Sequence, residues 1–237
     1  MAESTLSVDI NTIRREVGNF LAWGRTVSDY TTAQLQDFDD ICNHGLRMFY
    51  FPPTGPDTPY YEWSFLRKVG TITLATGTYT HDLPDDFGGT ILDRTLVFAE
   101  GQGKRALQKT TEDSIRKHRS IDQQTGVPRL FAVRVKTHAP TTGQRWEILL
   151  YPTPAAAEND LVLTYRYTYV PDALTNTNKY PSGGAQYSET ILAAVMAAAE
   201  ERSDDEFGGA LFQKFMTMLG QAIRADEQVK NNQSPGS

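Results

Sequence analysis

The residues that could carry chemistry in this chain fall into a few short clusters. Asp85 and Asp86 follow Leu83-Pro84 and precede Phe87-Gly88-Gly89. Adjacent carboxylates can hold a divalent cation, but a Pro-Asp-Asp-Phe-Gly-Gly run has the composition of a turn, and the turn is the favoured reading. Asp204, Asp205 and Glu206 stand where a final helix is expected to open, a place where negative charge meets the positive end of the helix dipole. His44, His81, His118 and His138 are scattered, and none stands at ligand spacing from the cysteine or from another histidine, so no zinc site is expected. Gly101-Gln102-Gly103-Lys104 has the glycines and the lysine of a phosphate loop. It lacks the full spacing and the hydroxyl residue after the lysine, and reads as a hairpin turn. Arg116, Lys117, His118 and Arg119 form one basic run, read as a solvated helix face with DNA or an acidic partner as the alternative. Tyr165, Tyr167 and Tyr169 with Glu147 are the one set that could build the aromatic strip and acid of a carbohydrate-binding or glycan-hydrolysing site. No catalytic, cofactor-binding or metal-binding residue is assigned, and the expectation is a protein that is not an enzyme.

The composition narrows the class. The chain has 237 residues, 39% hydrophobic and 11% aromatic, which is enough apolar material for a core of ordinary depth. Its formal charge of −6 argues against a protein that grips nucleic acid through its whole surface, since such binding relies on clustered Lys and Arg. Cys42 is the single cysteine, so an intramolecular disulfide and a cysteine-based zinc site are both impossible. The first residues lack the basic start and apolar centre of a signal peptide. The longest apolar run, Ile191 to Ala199, falls well short of the ~20 residues that span a bilayer. A soluble protein made in a reducing compartment is expected, with no membrane partner.

The elements that must position these residues follow from periodicity. Leu6, Ile10, Ile13, Val17, Phe20 and Leu21 recur at helical spacing, with Ser7 as the expected N-cap and Asp9 in the first turn. A second helical stripe holds Leu35, Phe38, Ile41, Cys42, Leu46 and Phe49, opened by a Thr31–Gln34 capping box and stopped at Pro52-Pro53. From Tyr61 to Tyr169 the period changes to two, and the spacing predicts about seven strands, including one near Trp63–Leu66, with a short helix over Thr111–His118. The stretch from Arg145 to Pro171 reads as a hairpin. Both faces of its first strand carry apolar residues, so both must be covered. A helix apolar on nearly every side returns at Tyr187, and Ser203 with Glu206 is expected to cap a last helix whose stripe is Phe207, Leu211, Phe215, Met218, Leu219, Ala222 and Ile223. Helix pairs at both termini need partners for their stripes. The expected fold is therefore α+β: a four-helix bundle from residues 1–55 and 185–237, with an inserted antiparallel β-sandwich-like domain over 56–184.

Several segments, in order, carry a family resemblance. They are Gly45-Leu46-Arg47-Met48-Phe49-Tyr50-Phe51-Pro52, Leu83-Pro84-Asp85-Asp86-Phe87, Thr125-Gly126-Val127-Pro128, Leu150-Tyr151-Pro152-Thr153-Pro154, Leu163-Thr164-Tyr165-Arg166-Tyr167, and Ser188-Glu189-Thr190 before the alanine run. From about Ile10 to Asp226 the chain resembles head-to-tail adaptor, or connector, proteins of tailed bacteriophages, of the tail tubular protein A type of podoviruses. The resemblance implies a structural virion component at the neck, assembled in the host cytoplasm as a ring, commonly of twelve copies. It implies as partners other copies of the chain, the portal protein, a distal tail or nozzle protein, and DNA that passes through the channel without specific binding; no cofactor is implied. Lys230, Asn231, Asn232 and Gln233 are candidate portal contacts in a terminal arm. Pro53, Asp57, Tyr60, Asn176, Lys179 and Tyr180 are candidate residues of intersubunit loops.

Overall fold

The computed structural model describes residues 3–52, 60–92, 95–141, 143–204 and 208–233. Five helices form among them: α1 (Ile10–Phe20), α2 (Thr32–Tyr50), α3 (Glu112–Ile121), α4 (Ser188–Asp204) and α5 (Ala210–Gln233). The strands are β1 (Arg67–Thr73), β2 (Thr80–Asp82), β3 (Phe87–Ile91), β4 (Thr95–Phe98), β5 (Leu107–Lys109), β6 (Leu130–Ala139), β7 (Gly143–Tyr151) and β8 (Val162–Tyr169). The chain divides into two compact units, Met1–Leu66 with Pro171–Ser237, and Arg67–Val170.

In the helical unit, α1 begins at Asp9, whose carboxylate accepts the Thr12 backbone N–H at 2.8 Å. Ser7, the expected cap, lies outside the helix and donates its hydroxyl to Glu3. The Thr31–Gln34 capping box of α2 is formed in both directions. Its stripe of Phe38, Ile41, Cys42, Leu46 and Phe49 is buried. Below α2, Trp63 is fully buried, stacks on Phe49 with ring centroids 4.8 Å apart, and donates its indole N–H to the Phe49 carbonyl. The segment Ser64–Leu66 is a 3-10 turn, where alternation had predicted a strand.

These helices are not a four-helix bundle. α4 packs against α1, α2 and α5, while α5 has no substantial packing on α1 or α2 among the described residues, so the unit is three helices arranged about a central one. The cause is the side-chain size along α4. Ala193, Ala194, Ala197, Ala198 and Ala199 are buried, and small residues on every side let neighbours approach α4 from several directions. The approach is close at Gly45 of α2, where an added Cβ would sit 2.5 Å from the Val195 Cα.

The expected cap of the last helix is also corrected. α4 runs through Asp204, so Ser203 is inside it; Asp205, Glu206 and Phe207 lie outside the described residues. The first turn of α5 is capped from α4 instead: the Glu200 carboxylate accepts the backbone N–H groups of Leu211 at 2.9 Å and Phe212 at 3.2 Å. Asp204 consequently sits at the end of a helix, where its charge opposes the dipole.

In the other unit the eight strands form one sheet in the order β1-β8-β4-β5-β6-β7-β2, with β3 also paired to β8. The sheet curls into a nearly closed barrel, and the expected sandwich is overturned. β4 is the reason it can curl: Thr95 and Leu96 pair with β5, while Val97 and Phe98 pair with β8. Ile72, Phe87, Ile91, Leu96, Phe98, Leu107, Phe131, Ile148, Leu150, Leu163, Tyr165 and Tyr167, from seven strands, then converge on one core. The sheet is mixed, since β5 and β6 run parallel.

The Arg145–Pro171 stretch is not a hairpin. β7 pairs with β6 and β2, and β8 with β1, β3 and β4. Both faces of β7 are nonetheless covered. Ile148 and Leu150 enter the barrel core, while Leu149 and Tyr151 pack with Ile115 of α3 and Ala132. Helix α3 extends three residues past its expected end and is capped by Thr111, which accepts the Ser114 N–H.

The contact at Gly45 yields a test. Gly45→Ala forces α2 away from the Val195 backbone and should cost about 1–3 kcal/mol. A lowered urea midpoint with unchanged far-UV circular dichroism of the folded state is expected. An unchanged midpoint would show that close approach to α4 does not constrain the unit.

Candidate interaction surfaces

The terminal helix is anchored by a buried charge. Asp226 of α5 has no solvent exposure, and its carboxylate accepts from the Tyr61 hydroxyl at 2.8 Å, from the Ser64 hydroxyl, and from the Ser64 backbone N–H at 3.0 Å. Tyr187 donates to it at 3.4 Å, and Lys230 forms an ion pair one turn along at 3.3 Å. Burial alone would raise the carboxyl pKa, but these donors outweigh it and hold the group below its ordinary value. Burial and the same carboxylate push the Tyr187 hydroxyl up to about 12.

This arrangement bears on the expected partner contacts. The Lys230 ammonium is held by Asp226, sits 3.8 Å over the Tyr61 ring and donates to the Glu62 carbonyl, so it secures α5 within its own unit. Asn231 is exposed on the last turns of α5. Asn232 and Gln233 continue that helix, and their side chains lie outside the described residues. Tyr60 is 70% exposed and Tyr180 44%. Asn176 accepts from Arg14 at 2.9 Å, and the Lys179 carbonyl accepts the Ile10 N–H that opens α1, so this loop is fastened to α1. Pro53 and Asp57 lie outside the described residues.

The other candidate clusters resolve into structural roles. Tyr165 and Tyr167 are buried in the barrel core, Tyr169 lies under the Lys68 ammonium, and Glu147 is buried against Arg134 at 2.6 Å, so the four form no open aromatic strip. Asp86 accepts from Lys68 at 2.7 Å and from the Tyr167 hydroxyl at 2.9 Å, while Asp85 pairs with Arg145. The two adjacent carboxylates thus serve different partners in a turn. Among the described residues no three His, Cys, Asp or Glu side chains gather around a common point. In the basic run, His118 stacks on Tyr151, and Arg119 lies 3.5 Å over the Tyr79 ring while donating to Thr153 at 2.7 Å. Arg116, Lys117 and His118 are exposed, as a solvated face requires, while His118 and Arg119 also fasten α3 to its neighbours. Burial pushes the Cys42 thiol up to about 12, which keeps it protonated and unreactive at neutral pH.

The structure also assembles a site the sequence did not show. An open groove of about 750 Å³ is lined by Lys104, Arg105 and Arg129, with Gln108 and Gln124, over a floor that includes Val127, Pro128, Leu130, Tyr151 and Pro152. Among the described residues no Asp or Glu lines it. Lys104 stands 3.9 Å from the buried Glu158; Arg105 and Arg129 have no ion pair among the described residues. The cations come together because β5 and β6 run parallel, Gln108 facing Leu130, which aligns the segments leading into both strands. The local signals were the Gly101-Gln102-Gly103-Lys104 turn and the Lys104-Arg105 pair, and nothing in the sequence placed Arg129 beside them.

Charge divides unevenly between the units. Met1–Leu66 with Pro171–Ser237 holds nine Lys and Arg against eighteen Asp and Glu, a net −9, whereas Arg67–Val170 holds fourteen against eleven, a net +3.

Comparison with known families decides the class. The family model described as SU10 adaptor protein matches residues 8–237. The chain belongs to the SU10 adaptor protein family. It is thereby a structural adaptor of bacteriophages and a component of the virion. The family match is to this adaptor group, and the tail tubular protein A type is not reached by it. No curated protein matched the sequence.

The Asp226 anchor sets a pH dependence for this SU10 adaptor family member. Its folded-state pKa is below the ordinary 3.8, so the unfolded chain takes up the proton first as pH falls. The stabilisation is complete above about pH 4 and is lost as pH drops through the folded pKa. Asp226→Asn should cost about 2–4 kcal/mol at pH 7, because it leaves Lys230 without its counter-charge. The gap between variant and parent, read from urea midpoints, should narrow below pH 4. A gap that stays constant with pH would show that the charge is not what holds α5.

Proposed function

We propose that this adaptor is a subunit of a head-to-tail ring that joins the portal to the tail and continues the DNA channel at the virion neck. The observation that carries the proposal is the extent of the family match, which runs from residue 8 to 237 and so takes in both units and all of α5. The ordered resemblance to tail tubular protein A supports placement under the portal, with the helical unit toward the portal and the sheet unit toward the distal tail or nozzle protein. The overall charge of −6 suits a passage in which DNA must slide without being held, since phosphates are repelled by a net negative wall. Ring subunits arranged head to tail meet through two different surfaces, and such contacts close into a ring when the rotation between neighbours permits. Twelve copies, assembled on the portal in the host cytoplasm, is the stoichiometry we propose.

Mixing the purified protein with the portal of its phage and measuring mass by light scattering tests the ring. A complex containing twelve copies of the protein per portal is expected. Absence of any complex, at concentrations of about 10 μM where even modest affinities register, would sink the proposal.

The arm is tested separately. Because Lys230 is committed to Asp226, the truncation should spare it: deleting residues 231–237 ought to leave stability unchanged and weaken portal co-assembly. Undiminished co-assembly would remove Asn231, Asn232 and Gln233 from the contact.

A further inference from the structure

The groove of the sheet unit has a chemical bias that the adaptor assignment does not explain. Lys104, Arg105 and Arg129 stand at its rim, and among the described residues no carboxylate lines it. Its floor keeps apolar surface open, since Val127 and Leu130 are only half-buried. A groove built this way favours a projecting apolar side chain with carboxylates beside it. Arg pairs well with carboxylate, and the floor rewards burial of an apolar group. Duplex DNA offers phosphates but nothing for the floor, so charge alone would attract it.

The helical unit presents such a projection. Residues 3–8 form a turn ahead of α1 that is held at both ends. The Ser7 backbone N–H donates to the Ser4 carbonyl at 3.0 Å, the Ser7 hydroxyl to the Glu3 carboxylate at 2.6 Å, and the Val8 N–H to the Ser188 hydroxyl at 3.0 Å. Between these anchors Leu6 is 82% exposed, an apolar side chain with no cover of its own. A turn already fixed in shape loses little further freedom when it docks. Glu3, and Glu189 next to Ser188, are exposed and have no ion pair among the described residues. Both lie in the unit of net charge −9, whereas the groove lies in the unit of +3.

We propose that the groove lined by Lys104, Arg105 and Arg129 receives the 3–8 turn of a second copy of the chain. Leu6 covers Val127 and Leu130, and the Glu3 and Glu189 carboxylates face the three cations. Groove and turn are different surfaces of one chain, so the contact is heterologous and propagates from copy to copy. It names one interface of the ring proposed above, and rests on that ring only for its biological setting. One apolar side chain and exposed ion pairs make a weak, salt-sensitive contact.

The test uses the full-length protein without portal, so that failure of this contact is distinct from failure of the ring. Light and isotopically heavy protein are mixed equally at about 100 μM, where a contact with a Kd of about 1 mM is roughly a tenth populated. A carbodiimide then joins lysine amines directly to adjacent carboxylates, and the products are mapped by mass spectrometry. A mixed light–heavy cross-link between Lys104 and Glu3 or Glu189 is expected at about 50 mM salt, reduced about tenfold at roughly 0.5 M. Leu6→Ser should lower its yield about fivefold. R105E/R129E should abolish it. All three positions are exposed, so thermal midpoints should not change. The combined variant R105E/R129E/E3K restores opposite charge and should regain a mixed cross-link between turn and groove. The proposal is overturned if the parent protein gives no mixed cross-link, or if the link forms only within single chains. It is equally overturned if the link is indifferent to Leu6→Ser, survives R105E/R129E or fails to return in the combined variant. If the cross-link is absent and R105E/R129E instead abolishes binding of a labelled DNA duplex, the proposal falls and the groove belongs to nucleic acid.

Discussion

A helix without a polar face dictates how this chain is arranged. α4 carries Ile191, Val195 and five buried alanines distributed around its circumference, and no side of it can face water without loss. One partner helix can cover only part of such a surface. α2 and α5 take the larger shares and α1 a smaller one, so residues from both ends of the chain must meet around a helix that begins at Ser188. The 104 residues between Leu66 and Pro171 then fold apart as a second unit. Small residues also set the spacing: Gly45 against Val195 allows backbone-to-backbone approach that no side chain could bridge. The aromatic group beneath, where Trp63, Phe49, Phe65 and Tyr187 stack on one another, closes the end of this packing.

Much of this was legible in the residues, and the failures have specific causes. The stripe of α2 and the Thr31–Gln34 box are local patterns and formed as read, whereas the first stripe holds only at Ile10, Ile13 and Val17, since Leu6 lies outside α1 and is exposed. Alternation along β7 correctly indicated that both its faces are covered. It could not say which strand lies beside which, because a period of two is the same in a hairpin, a sandwich and a barrel. Placing β8 next to β7 was an inference from sequence proximity. In the fold three strands separate them. The bundle was misjudged for a related reason: apolar stripes state that helices need partners and leave the partner unspecified. The Glu200 cap of α5 was invisible because it reaches across eleven residues from another helix, outside any local capping rule.

The candidate site shows the same boundary between local and non-local information. Asp85-Asp86 and the Arg116–Arg119 run stand out because charged residues cluster in sequence, yet Asp85, Asp86 and Arg119 each serve a different neighbour in space. Conversely, Arg129 looked unremarkable until the parallel β5–β6 pair set it beside Lys104 and Arg105. Clustering in space is what a partner feels. For a binding surface it is the relevant quantity, and it emerges only when the register of the sheet is known.

Overall charge conceals this as well. A net −6 describes a mildly acidic protein, but the chain is a −9 helical unit joined to a +3 sheet unit. The ring proposed for this adaptor has a use for such polarity. Each exposed ion pair contributes about 0–1 kcal/mol, too little to hold two copies together in dilute solution. Repetition changes the arithmetic: once neighbours are fixed, for example on a larger template, each further contact is made at high effective concentration. In the proposed ring, weak, charge-selective contacts let free copies meet only transiently while a template draws them into one arrangement, and they discriminate orientation because like-charged units repel. A strongly apolar interface would give affinity without that control. The groove with its basic rim and modest apolar floor lies on the controllable side of this choice.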